Sequence, residues 1–143
     1  MSRRYAEDTK VPVEQSRAEI ERTLERYGAT AFAYAAEPTQ ATILFEADKR
    51  RIRFCVPLPD RLDLKDQRLN EKERRRIFRA LLLCLKARLE GVQSGIESFE
   101  EAFLAHVVMP DGKTVMEHTA PAITAAYKSG KMQSLLPGPQ AGG

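Results

Sequence analysis

The sequence predicts an α+β domain in the order α-β-β-β-α-α-α, a three-stranded antiparallel sheet whose apolar face is covered by helices. Three observations predict it. An apolar stripe with helical spacing is followed by three stretches of strict period two. Short turn-forming segments separate those stretches, as antiparallel neighbours require. Three later segments each open on the spacing of a capping box.

The first helix is expected from Val13 to Tyr27. Val13, Ile20, Leu24 and Tyr27 step by seven, four and three positions, which keeps them on one face. Pro12 suits its first turn and Gly28 supplies a left-handed stop.

The three strands are expected at Thr30–Ala36, Ala41–Ala47 and Arg50–Val56. Alternation places Phe32 and Tyr34, then Ile43 and Phe45, then Ile52, Phe54 and Val56 on one face. Thr42, Glu46, Arg51 and Arg53 fall on the other. Residues 37–40 form a short turn and Asp48-Lys49 a tight one. Pro57 and Pro59 end the third strand, because proline removes ladder donors.

Asn70 and Glu73 have capping-box spacing and open the longest helix, expected from Glu71 to Gly91. Ala80 to Leu85 is apolar all round, which suggests a central position. Ser98 and Glu101 open a short helix to Val107 or Val108, and residues 110–112 turn. Thr114 and Glu117 open a last helix to Lys128, bent or divided at Pro121. The expected organisation is a flexible segment 1–10, one domain over 11–128 and a Pro/Gly-rich tail 129–143.

At 143 residues, with 43% hydrophobic and 30% charged residues, the chain has the composition of a globular domain rather than a disordered tail or disulfide scaffold. No apolar run approaches the roughly 18 residues of a helical membrane span. The N-terminus has charges with no apolar stretch behind them, so a secretory signal is not expected. Cys55 and Cys84 sit within apolar runs, without metal-site spacing, and read as buried reduced thiols of a cytoplasmic protein.

The net charge of +3 hides an asymmetry. Lys49 to Arg79 holds twelve basic and five acidic residues, a charge of +7 that leaves −4 elsewhere. Such asymmetry points to an anionic partner. Arg74, Arg75 and Arg76 fall near the expected start of the long helix, where cations are disfavoured unless an anion joins them. Lys72, Arg74, Arg75, Arg76 and Arg79, with Arg51 and Arg53 on the open sheet face, are the candidate nucleic-acid-binding residues. No aromatic stacking platform accompanies them, so phosphate contacts would dominate.

An enzyme is not expected. His106 reads as a packing residue. Glu117 and His118 are adjacent on a helix and diverge by about 100°, a poor arrangement for a base and its orienter. No nucleophile elbow, phosphate-binding glycine loop, zinc motif or acidic magnesium cluster is present. No cofactor is implied.

The segments from Val11 to Thr30, Gly95 to Thr114 and Lys131 to Pro137 resemble a family of small uncharacterised bacteriophage and prophage proteins. The resemblance spans about Val11 to Pro137. It implies a phage or mobile-element origin and action inside the host bacterium, and supplies no functional residues. The α-β-β-β-α order is also similar to double-stranded-RNA-binding domains, which grip phosphates from the start of the second helix; Lys72, Arg75 and Arg76 would take that role. The loop from Pro57 to Leu69 is longer than in that family, and no His stands between the first two strands.

Two functions follow as expectations. The first is a non-enzymatic protein that binds nucleic acid, DNA more than RNA, as an accessory to recombination or replication. The second is an inhibitor that binds a host defence nuclease complex. A homodimer, through sheet edges or C-terminal helices, fits either.

Overall fold

The computed structural model describes residues 9–63 and 65–138; the expected flexibility of 1–8 and of the last five residues lies outside the described residues. The element order is α-β-β-β-α-α-α, as the patterning predicts, with one added 3-10 turn.

Helix α1 spans Val13–Arg26. Pro12 stands just before it, and its carbonyl accepts the amides of Gln15 and Ser16 at 3.1 and 3.2 Å. Gly28 at φ +105° then turns the chain out of the helix, a conformation that costs glycine nothing.

Strands β1 (Ala31–Ala36), β2 (Gln40–Ala47) and β3 (Arg50–Pro57) form one antiparallel sheet in the order β1-β2-β3. The register aligns Phe32 with Phe45 and Phe45 with Ile52, and likewise Tyr34 with Ile43 and Ile43 with Phe54. Period two therefore places the expected side chains on one face. Asp48 and Lys49 both adopt positive φ, 51° and 60°, the handedness that matches a two-residue hairpin turn to strand twist.

Helix α2 spans Gln67–Gln93. It starts four residues before the expected Glu71. The Asp66 carboxylate accepts the Leu69 amide at 3.1 Å and caps the helix instead of Asn70, whose side-chain amide donates to the Asp60 carbonyl at 3.3 Å. Phe78, Leu81, Leu82, Leu85 and Leu89 are buried on one face of α2 against the sheet. The apolar run at 80–85 does not make α2 central: Leu83 is half-buried and Cys84 exposed. A single helical layer covers the sheet, so the far side of α2 meets solvent.

The main core joins Ile20 and Leu24 of α1, Ile43, Phe45, Ile52 and Phe54 of the sheet, and Leu81, Leu82, Leu85 and Leu89 of α2. A smaller cluster of Ala41, Leu58 and Phe78 continues it beneath the 58–63 loop. Phe32 and Tyr34 pack against the core as expected.

Helix α3 spans Phe99–Phe103, opened by a complete Ser98/Glu101 capping box, and a 3-10 turn follows at Leu104–His106. Phe103 seals the core, its ring edge-on to Phe45 at 5.8 Å and to Phe54 at 6.3 Å. Helix character stops there because the next residues pair with β3. The Val108 amide donates to the Arg51 carbonyl at 2.8 Å, and Val107 bridges Ile52. The chain then reverses through Gly112, at φ +88°, and Val108 bridges Thr114.

Helix α4 spans Val115–Ser129 without a break at Pro121, and ends at Gly130 with φ +71°. The Thr114 hydroxyl caps it by accepting the Glu117 amide at 3.2 Å. None of its residues is buried.

The two cysteines are not buried as expected. Both are free and exposed. Cys55 falls on the sheet face away from the helices, since parity opposes it to Phe54 and Val56. Cys84 falls on the solvent side of α2.

Candidate nucleic-acid interface

The seven candidate residues do not form one surface. Arg51 and Arg53 project from the sheet face opposite the helices, while Lys72 and Arg74 to Arg79 belong to α2 on the helical side. The sheet lies between the two groups.

On the open sheet face each arginine has a partner. Arg51 pairs with Glu46, its neighbour across the strands, at 3.5 Å. Arg53 donates to the Gly112 carbonyl at 2.8 Å and to the Glu117 carboxylate at 2.6 Å. That carboxylate is held below the usual range, chiefly by the Arg53 hydrogen bond and further by its charge. The platform anticipated around Arg53 is thus occupied by the 110–113 turn and the first turn of α4. A groove of about 540 Å³ beside Arg51 gathers Lys49 and Arg50 with Glu46 and Asp48, a mixed rather than basic lining.

The earlier start of α2 moves Arg74, Arg75 and Arg76 away from the helix terminus. They lie about two turns in, beyond the first turn in which the macrodipole acts. The expectation of a positive helix end crowded by cations is therefore overturned, and with it the reason to place an anion there.

What α2 offers instead is a row along one flank. Arg68, Lys72, Arg75 and Arg79 recur at intervals of four, three and four, which aligns them within about 16 Å of helix length. Arg75 pairs with Glu71 at 3.7 Å, and Arg79 with Glu19 of α1 at 3.0 Å. Arg68 and Lys72 are exposed. The preceding loop adds exposed Arg61 and Lys65, while its Asp60, Asp63 and Asp66 carboxylates each accept a nearby backbone amide, from Leu62, Lys65 and Leu69. No acidic residue stands in the first turn of α2.

Arg74 and Arg76 point elsewhere. Arg74 donates to the carbonyls of Pro38 and Pro59 at 3.0 and 3.2 Å, strapping the β1–β2 turn to the loop after β3. Arg76 forks onto Glu73 one turn earlier, with its closest contact at 2.6 Å.

The two histidines serve packing and attachment. The His106 ring stacks on Phe54 with centroids 3.8 Å apart. Burial, then the charge of Arg88, lowers its pKa below the usual value, against a backbone hydrogen bond at Arg53 that raises it. His118 meets Asp111 at 2.7 Å, a pair that sequence spacing does not announce because it spans a turn and a helix start. The Asp111 carboxyl is held low, first by the Lys113 amide and next by His118. A hollow of about 300 Å³ beside the pair is lined by Met109, Pro110, Leu136, Pro137 and Gly138, none of which carries a nucleophilic hydroxyl or thiol. Among the described residues no group of three or more His, Cys, Asp or Glu side chains could hold a metal ion, and no helix is long and apolar enough to cross a membrane.

No family model, curated protein or solved structure matches the chain.

Proposed function

We propose that the protein binds nucleic acid through its phosphate backbone, using the flank of α2 that carries Arg68, Lys72, Arg75 and Arg79. The cation row itself is the observation that carries this reading. Its members are spaced about 4.5–6 Å apart along a rigid helix, and Arg61 and Lys65 extend it into the adjoining loop. The Arg75–Glu71 pair is long, at 3.7 Å, and its Glu71 side is open to solvent, so it is worth little in water and is readily exchanged for phosphate. The surface brings no aromatic stacking platform and no base-reading groove element, so the binding is electrostatic and tolerant of sequence. Arg51, Arg53 and Arg74 stand outside this site. In a phage or mobile element such a protein would serve recombination or replication as an accessory.

The test is fluorescence anisotropy with labelled single- and double-stranded DNA and RNA at several salt concentrations. Four phosphate contacts correspond to a slope of log K against log salt of about −3 to −4. The double variant Arg68→Glu/Lys72→Glu should lose about 1.5–2 units of that slope. No binding at low salt would reject the reading and direct attention to a protein partner such as a nuclease complex.

A further inference from the structure

Helix α4 is built unlike the other two long helices. It has fifteen residues and none is buried. Five of its six half-buried residues, Val115, His118, Thr119, Ala122 and Ala126, share one side, which faces the 3-10 turn at Leu104–His106. A second side is apolar and largely uncovered, with only its Ala120 half-buried. Met116, Ala120, Ile123 and Tyr127 recur at intervals of four, three and four, so they form one straight stripe. Met116 is 53% exposed, Ile123 42% and Tyr127 88%. No charged residue lies within the stripe. A soluble helix that keeps such a stripe in water loses burial of about 1.5–3 kcal/mol per large side chain.

The spacing identifies what covers it. Four-three-four is the seam of two helices packed side by side, with alternate positions facing a partner helix. The stripe is complementary to itself when the partner runs antiparallel. A two-fold axis midway along it sets Met116 opposite Tyr127 of a second copy and Ala120 opposite Ile123. Each large side chain then meets a fitting one: thioether against aromatic ring, and isoleucine against the space above alanine. The same arrangement brings Glu117 of one copy within about 3 Å, along the axis, of level with Lys128 of the other, on the same flank of the seam. The opposed helix dipoles are also favourable.

We infer that α4 is a self-association surface, and that a second copy of this chain packs its own α4 antiparallel against it. The seam is short. A helix of this length runs about 22 Å, too short for one seam to bury the roughly 800 Å² per partner of a standard interface. Exposed Met132, Leu135 and Leu136 follow directly and lengthen the apolar surface. The dimer is therefore expected to be weak and concentration-dependent.

Sedimentation equilibrium of the full chain from about 1 to 200 μM tests this. The expected mass rises from 16.1 kDa toward twice that value. Ile123→Asp should weaken dimerisation at least tenfold, and Tyr127→Asp likewise, with circular dichroism and melting unchanged because neither residue is buried in the monomer. Orientation is read by oxidative cross-linking in a Cys55→Ser/Cys84→Ser background. Met116→Cys with Tyr127→Cys should cross-link, and Met116→Cys alone should not. A monomer at every concentration overturns the inference. So does a dimer indifferent to both aspartates, or cross-linking by Met116→Cys alone.

Discussion

The Arg53 guanidinium on β3 reaches the Glu117 carboxylate in the first turn of α4 at 2.6 Å, joining residues 64 positions apart in the chain. Through this contact, and through His118 on Asp111 at 2.7 Å, a helix with no buried residue is held to the domain by polar groups at one end. The core touches it only at its first residue, where half-buried Val115 packs against the main cluster.

Arg53→Met should therefore free α4 without unfolding the sheet. It removes the bonds to Gly112 and Glu117 together. Amide exchange over residues 113–120 should accelerate by about tenfold or more, since charge-assisted hydrogen bonds contribute about 1.5–3 kcal/mol each. Exchange in β2 and in the buried turns of α2 should not change. Faster exchange throughout the core would contradict the local role.

Acid should loosen the same attachment. Asp111 and Glu117 both have carboxyls held below their reference values of 3.8 and 4.5. A depressed carboxyl contributes stability that is complete above its unfolded pKa and is lost as pH falls through its folded pKa. Exchange over 113–120 should be pH-corrected and constant from pH 7 to 5, then rise below about pH 4. Asp111→Asn should remove part of that acid response.

His106 acts in a higher window with the same sign. Its folded pKa lies below 6.5, so the folded state prefers the neutral ring. Stability from this residue is present above pH 6.5 and declines as pH falls below it. His106→Phe keeps a ring stacked on Phe54 and should flatten the fall in Tm between pH 7 and 5. An unchanged slope would mean the decline has another source.

Arg74 separates structure from binding. Arg74→Ala should destabilise the fold by about 1–3 kcal/mol, because the Pro38 and Pro59 carbonyls lose their donor. Its salt slope for nucleic acid should match the wild type once compared at equal folded fraction. Arg68→Glu should show the reverse pattern, stable but weakened in binding. Urea titration and anisotropy together decide both.

Both cysteines should react with a disulfide reagent in the native protein, at rates that denaturant raises only slightly, since both thiols are exposed. Release of a thiol only on unfolding would restore the buried assignment.

The strands, their register and their inward faces were legible in the sequence. Period two is a property of the backbone and needs no partner to state which side chains share a face; Ile43, Phe45, Ile52 and Phe54 carry it plainly. The capping box at Ser98 was legible for a similar reason, because its two hydrogen bonds are local. The start of α2 was not, since Asp66 and Asn70 are both competent caps and the loop geometry selects Asp66. Burial of Cys84 was misread because an all-apolar run does not state how many layers will cover it. The basic segment was legible as charge but not as a surface. Sequence placed Arg53, Arg74 and Arg79 in one basic segment, and the fold sent them to Glu117, to two proline carbonyls and to Glu19. Local rules decide conformation over a few residues; which cation meets which anion across the chain depends on how the sheet and helices pack, and only the tertiary structure decides that.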